Sequence, residues 1–363
     1  MELNKQNAAP DVTVGAATGQ HPLKVTNSIA NPQKQNNPNI LETVSMSELY
    51  EKVYEPRTPI VDGLLYPGLY FFVGAPKVGK SFFVAQLAYH VAAGLPLWDY
   101  PVRQGDVLYM ALEDDYARLQ KRLSRMFDVE GSEALHLATK AKTITEGLDV
   151  QMDRFVEEHP NARLIIIDTL QRIRDVGGER YSYAGDYEVV TRLKDFADRH
   201  GVCLMIVHHT RKMEAEDSFD MISGTNGLLG AADGAFILQK KKRTDKTAVL
   251  SVVGRDQQEQ EITIEFDQEK CFWIFVKAET ELWREPPDPL LDAIQSFLET
   301  EDGTWEGAPT ELLGKLSGVE LSAPHSLTRK LNVSAERLFN EYGIRYESGR
   351  TCEGRFIKLE RNK

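Results

Sequence analysis

The sequence predicts an α/β fold with a mostly parallel central sheet, followed by a small C-terminal α+β domain. Three observations carry that expectation. Between residues 63 and 280, short apolar runs alternate with helix-length segments, the pattern of strands joined by crossover helices. A glycine-rich stretch, Gly74-Ala75-Pro76-Lys77-Val78-Gly79-Lys80-Ser81, stands between one such run (69–73) and one such helix (80–93). Finally, three prolines in four residues, Pro286-Pro287-Asp288-Pro289, stop regular structure before a last segment of about 75 residues.

Taken in order, residues 1–42 are rich in Asn, Gln, Pro, Ala and Thr and poor in large apolar residues. Such a segment buries too little surface to offset its ordering entropy, so a disordered tail is expected. The large domain is expected over 43–284, opened by a short amphipathic helix carrying Val44, Met46, Leu49, Tyr50, Val53 and Tyr54. Strands are expected at 69–73, 107–112, 135–138, 163–168, 202–207, 234–239, 247–253 and 261–266. Helices are expected at 80–93, 115–127, 147–158 and 184–200. The last strands follow one another without helices, which predicts an antiparallel extension at one sheet edge. A linker at 285–289 then leads to the second domain, 290–363. Residues 285–323 carry a net charge of −8 and residues 324–363 a net charge of +4.

Composition excludes some functions. No apolar run approaches membrane-spanning length, and the N-terminus has no hydrophobic signal core. Cys203, Cys271 and Cys352 lie far apart without metal spacing, and Cys203 falls inside an apolar strand pattern, so packing rather than chemistry is expected of it. A reduced, cytoplasmic setting follows. The net charge of −12 argues against coating nucleic acid by bulk electrostatics, while leaving room for a local basic channel.

The stretch Gly74–Ser81 fits G-x-x-x-x-G-K-[ST] in its required strand–loop–helix setting. Glycines let successive backbone N–H groups and the N-terminus of the following helix face phosphate oxygens. Lys80 is expected to reach the β- and γ-phosphates of ATP, Ser81 to take one position on Mg²⁺, and Gly74 through Phe82 to line the nucleotide. Leu164-Ile165-Ile166-Ile167-Asp168 is an apolar strand ending in a carboxylate, and ligands in such sheets sit beyond the strands' carboxyl ends. Asp168 is therefore the second candidate metal ligand. Another strand end carries Glu113-Asp114-Asp115, where Glu113 is the candidate to orient the attacking water and Asp115 could instead cap a helix. His208-His209 closes a further strand and could report whether the γ-phosphate is present. Alternation alone does not separate the two histidines.

Two long polar loops follow these tips, at 171–186 with Arg172, Arg174 and Arg180, and at 210–230 with Arg211 and Lys212. Basic and glycine-rich, they could track a phosphate backbone. Lys240-Lys241-Lys242-Arg243 reads as a charged hairpin tip. Arg243 and Arg255 are both candidates for an arginine reaching a neighbouring subunit's γ-phosphate, with Arg255 preferred.

This layout resembles the RecA-fold ATPases, in particular the RepA-like, DnaB-related hexameric replicative helicases of plasmids and mobile elements. The resemblance covers roughly residues 60–280 and rests on Gly74–Ser81, Glu113 displaced onto its own strand, Asp168, and His208-His209. It implies an ATP-hydrolysing ring, with loops 171–186 and 210–226 facing single-stranded DNA in a central channel. It also implies partners such as a replication initiator or primase. The chain departs from the plain pattern by its N-terminal tail and its C-terminal domain. That domain resembles winged-helix modules, with a recognition helix at 325–341, a wing near 344–359, and Arg329, Lys330, Arg345, Arg350 and Arg355 as phosphate contacts. The alternative is a RecA-like ATPase that does not unwind DNA, such as a recombination mediator or an ATP-dependent DNA-binding regulator.

Overall fold

The computed structural model describes residues 41, 43–54, 57–174, 183–209, 230–242, 244–255, 257–279, 286–319, 323–351 and 354–361. The tail expected over 1–42 lies, except for residue 41, outside them. Two units are present, Met1–Lys52 and Val53–Lys363. In the first, α1 (Met46–Tyr50) is one capped turn. The Ser45 side chain accepts from the Glu48 N–H and the Glu48 carboxylate accepts from the Ser45 N–H. No residue of this turn is buried.

The second unit is built on a nine-stranded sheet. In chain order its elements are β1 (Gly68–Gly74), α2 (Lys80–Ala93), β2 (Asp106–Ala111), α3 (Tyr116–Phe127), β3 (Leu135–Ala138), α4 (Leu148–Glu158) and β4 (Ala162–Asp168). Then come α5 (Leu170–Ile173), α6 (Tyr183–His200), β5 (Cys203–His209), β6 (Gly234–Gln239), β7 (Thr247–Gly254), β8 (Gln260–Asp267) and β9 (Phe272–Ala278). The spatial order is β3-β2-β4-β5-β1-β6-β7-β8-β9. The first six strands are parallel and the last three extend the sheet antiparallel. The expected α/β class and the antiparallel edge both hold. Strand β9 and the short helix α5, which opens the stretch expected as a loop at 171–186, are elements of this unit that the sequence reading missed.

Both faces of the central parallel strands are covered, which explains the uninterrupted apolar runs of β1, β4 and β5. Along β1 the residues alternate: Tyr70 and Phe72 pack against α2 and the strands β7 to β9, while Leu69, Phe71 and Val73 pack against α4, α5 and α6. Cys203 is fully buried in this core, and burial raises its thiol pKa, so it packs and does not react.

A small antiparallel-sheet domain occupies the C-terminal part. It comprises α7 (Pro289–Thr300), β10 (Thr304–Gly307), α8 (Pro309–Lys315), α9 (Pro324–Val333), α10 (Ala335–Tyr342), β11 (Ile344–Thr351) and β12 (Gly354–Arg361), with strand order β10-β12-β11. Its core draws on residues 290–359 alone. Pro289, placed in the linker by composition, is instead the first residue of α7, where a missing N–H costs nothing, and Asp288 caps the helix by accepting from the Leu290 N–H at 2.9 Å. The helix expected at 325–341 is two helices meeting at Ser334. At this break, buried Asn332 accepts from Tyr346 at 2.8 Å and from Ser348 at 3.0 Å, tying α9 to β11.

Candidate active site

Four strand ends converge on one pocket: β1, β2, β4 and β5 all finish on the same edge of the sheet because they run parallel. The loop after β1 turns sharply through Lys77 (φ 65°) and Gly79 (φ 109°) into α2. Gly74 and Gly79 have no room for a side chain. A Cβ on Gly74 would meet the Leu238 carbonyl oxygen at 2.6 Å, and one on Gly79 would meet the Trp273 ring at 2.7 Å.

Lys80 is buried at the first position of α2. Its Nζ donates to the carbonyl oxygens of Gly74 (2.8 Å) and Ala75 (2.9 Å) and to Nδ1 of His209 (2.9 Å). Burial lowers its pKa to about 8, against the opposing pull of Asp168 and Glu113. Asp168 is also buried and burial raises its pKa, partly countered by hydrogen bonds from Ser81 and Tyr109, the latter at 3.1 Å. The Asp168–Thr169 peptide is cis.

The three consecutive acids after β2 separate cleanly. Asp115 caps α3 by accepting from the Arg118 N–H at 2.8 Å. Asp114 pairs with Arg122 at 2.7 Å. Glu113 alone turns to the pocket, where it accepts from the Thr169 hydroxyl at 3.2 Å and lies within the electrostatic reach of Lys80 and Asp168. The adjacency of β2 and β4, with Ala111 opposite Asp168, puts the two carboxylates side by side.

The histidines also divide. His209 faces Lys80, and burial followed by the lysine's charge lowers its pKa. His208 is set in a more buried environment beside Arg174, and its pKa falls to about 4. Of the candidate DNA-contacting residues, Arg172 is exposed on α5 and Arg174 lies near His208. Arg180, Arg211 and Lys212 lie outside the described residues, as does Arg243. Lys330 is exposed on α9 and Arg329 half-buried beside it. Arg255 is not brought to this pocket. It follows β7, whose antiparallel course carries Gly254 back opposite Gly234, at the end of the sheet away from Lys80. Its guanidinium donates to the Gly230 carbonyl at 3.1 Å.

Sequence reasoning missed Trp273. Its indole N–H donates to the Gly79 carbonyl at 3.1 Å, and its backbone is clasped by Gln86, which donates to the Trp273 carbonyl at 3.0 Å and accepts from its N–H at 2.9 Å. The only signal in the chain was an aromatic apolar run at 272–276 after a polar turn. Lys240, at the end of β6, sits over the Trp273 ring at 5.3 Å.

The fold and this pocket are those of a P-loop ATPase. Residues 35–215 match the family model described as an AAA domain, a span that contains Lys80, Ser81, Glu113, Asp168 and His209 but not Trp273. No curated protein matches the chain. Among solved structures, similarity is found to a DnaB-like replicative helicase described with its primase interactions (14% identity, TM-score 0.49, 58% of this chain and 59% of that one). A solved ATPase domain is similar at 13% identity and TM-score 0.48, over 58% of this chain and 85% of that one. A KaiC-like protein from Pyrococcus horikoshii OT3 is similar at 14% identity and TM-score 0.44, over 62% and 99%.

Proposed function

We propose that this ATPase is a ring-forming DNA motor, a replicative-type helicase that acts on single-stranded DNA for a plasmid or mobile element. The observation that carries the reading is the separation of the two acids, Glu113 from β2 and Asp168 from β4, around one buried lysine. In this reading the loop Gly74–Ser81 cradles the triphosphate with Phe82 behind it, and Lys80 holds the β- and γ-phosphate oxygens. Glu113 takes the proton of the attacking water and aligns its lone pair with the γ-phosphorus, while Thr169 orients the carboxylate. The Ser81 hydroxyl and the Asp168 carboxylate, already hydrogen-bonded to each other, suit a Mg²⁺ ion as hard oxygen ligands. Bound there, Mg²⁺ would neutralise phosphate charge.

His209 then serves as the sensor, since it shares Lys80 with the phosphate site. Loops 171–186 and 210–230 contact DNA through Arg172, Arg174, Arg180, Arg211 and Lys212. A neighbouring subunit supplies an arginine, Arg255 or Arg243. The C-terminal domain, with the helix and strand order of a winged helix, contacts duplex backbone through Arg329 and Lys330. Strand displacement on a forked DNA, dependent on ATP and lost in Glu113→Gln, is the expected result. The chain's net charge of −12 favours a second reading, a RecA-like ATPase that meets DNA only locally and does not unwind it. DNA-stimulated hydrolysis without strand displacement would select that reading over the first.

A further inference from the structure

We propose a zinc site at the edge of the sheet, formed by Asp106, His136 and His159. It lies away from the nucleotide pocket: Asp106 opens β2, whereas Glu113 follows the far end of the same strand. His136 is on the neighbouring edge strand β3, and His159 terminates α4. The loop after His159 is tied to the start of β2 by the Asp106 N–H, which donates to the Asn161 carbonyl at 3.0 Å.

The three side chains offer one ligand atom each, and these atoms all lie within 4.8 Å of one another. From Oδ1 of Asp106, Nε2 of His136 is 3.3 Å away and Nδ1 of His159 is 3.9 Å away. The two imidazole rings are 4.1 Å apart, and Phe155 packs against both, at 5.3 Å and 4.5 Å. One hydrogen bond, from His136 to Asp106 at 3.3 Å, does not account for the whole convergence, because His159 at 3.9 Å lies beyond hydrogen-bond range of the same oxygen yet faces it. The same molecule shows the ordinary arrangement elsewhere: His200 Nε2 lies 2.7 Å from Oδ1 of Asp153.

A tetrahedral zinc ion with ligand bonds of about 2.0–2.1 Å would hold its donor atoms about 3.3 Å apart, close to the spacing already present. Two imidazoles and one carboxylate suit Zn²⁺ rather than Mg²⁺ or Ca²⁺, which take oxygen donors. All three side chains are part-exposed, so the fourth position is open to water. Filled, the site clamps the end of α4 to β2 and β3. It acts as a fastening of the exposed sheet edge rather than as part of the hydrolytic machinery.

The test uses the full-length chain, treated with chelator and free of nucleotide and Mg²⁺. Zn²⁺ is titrated by calorimetry, and Co²⁺ serves as a spectroscopic substitute. One equivalent should bind, Co²⁺ should give the intense visible absorption of a low-coordinate site, and Zn²⁺ should raise the thermal midpoint. His136→Ala, His159→Ala and Asp106→Asn should each weaken binding at least about tenfold. His200→Gln should leave binding unchanged. Equal binding by the wild-type and the His136 and His159 variants, or no saturable binding at micromolar metal, would overturn the site. Thermal melts without metal show whether each variant is folded, so that loss of binding is not mistaken for loss of structure.

Discussion

Nζ of Lys80 lies 2.9 Å from Nδ1 of His209, so the lysine that opens α2 and the histidine at the end of β5 share one hydrogen bond. An ammonium group only donates, so Nδ1 must accept and the imidazole must be neutral. The lowered pKa of His209 agrees with that tautomer. Three acceptors hold Lys80: two carbonyl oxygens of its own loop and this ring nitrogen. A triphosphate offers stronger, charged acceptors. In the proposed mechanism its arrival draws Lys80 from His209 and frees the histidine to bond elsewhere.

His209→Ala should therefore separate binding from coupling. ATP should still bind, because the two carbonyls and the loop glycines remain. Stimulation of hydrolysis by single-stranded DNA should fall about 5- to 150-fold, the range of a typical coupling between two sites. Steady-state ATPase assays with and without DNA, beside a nucleotide titration, measure both quantities. Unchanged stimulation would remove His209 from the switch.

Glu113→Gln keeps the shape of the side chain and its contact with Thr169 while removing the base. Turnover should drop by at least about 10²-fold with ATP affinity retained. Lys80→Ala should lose both. Single-turnover hydrolysis and equilibrium nucleotide binding distinguish the two variants, and full turnover by Glu113→Gln would reassign the water-activating role.

Alkaline pH should weaken ATP binding. Free Lys80 has a pKa near 8 because burial disfavours its charge, and the groups facing it are Asp168, Glu113 and His209. Bound phosphates favour the ammonium form, so the pKa must rise in the complex. Above about pH 8, binding then requires uptake of a proton, and affinity should fall by up to about tenfold per pH unit. Calorimetric titrations at pH 8.5 in buffers of different ionisation heat would reveal that uptake. Equal heats in all buffers would show that Lys80 stays charged without nucleotide.

How much of this was legible beforehand depends on whether a feature is local. The loop Gly74–Ser81 and the apolar run ending at Asp168 are contiguous in the chain, and strand periodicity placed both at the correct edge. Sorting Glu113 from Asp114 and Asp115 required tertiary neighbours: Arg122 claims one acid, the start of α3 claims another, and Thr169 meets the third. The same holds for His208 and His209, which differ in burial and in whether Lys80 or Arg174 stands opposite. Arg255, offered for a neighbouring subunit's site, follows β7 and so stands at the end of the sheet away from its own chain's Lys80. Trp273 was invisible because its partner, Gly79, is nearly two hundred residues distant in sequence.

That distant contact leads to a last prediction. Trp273 fills the space that a side chain on Gly79 would need, and its indole N–H takes the Gly79 carbonyl, so the last strand of the sheet shapes the phosphate loop. Trp273→Phe removes the N–H donor and part of the ring, which should cost about 1–3 kcal/mol of stability through a lost hydrogen bond and a cavity. Because the loop loses its support from beneath, ATP affinity should weaken as well. Gln86→Ala provides the comparison: it removes two hydrogen bonds to the Trp273 backbone but leaves those of Trp98 and Gly79, so it should lower stability with less effect on affinity. Urea unfolding and nucleotide titration of both variants decide the matter. If Trp273→Phe loses stability yet binds ATP like the wild type, the tryptophan is a core residue and the phosphate loop keeps its shape without it.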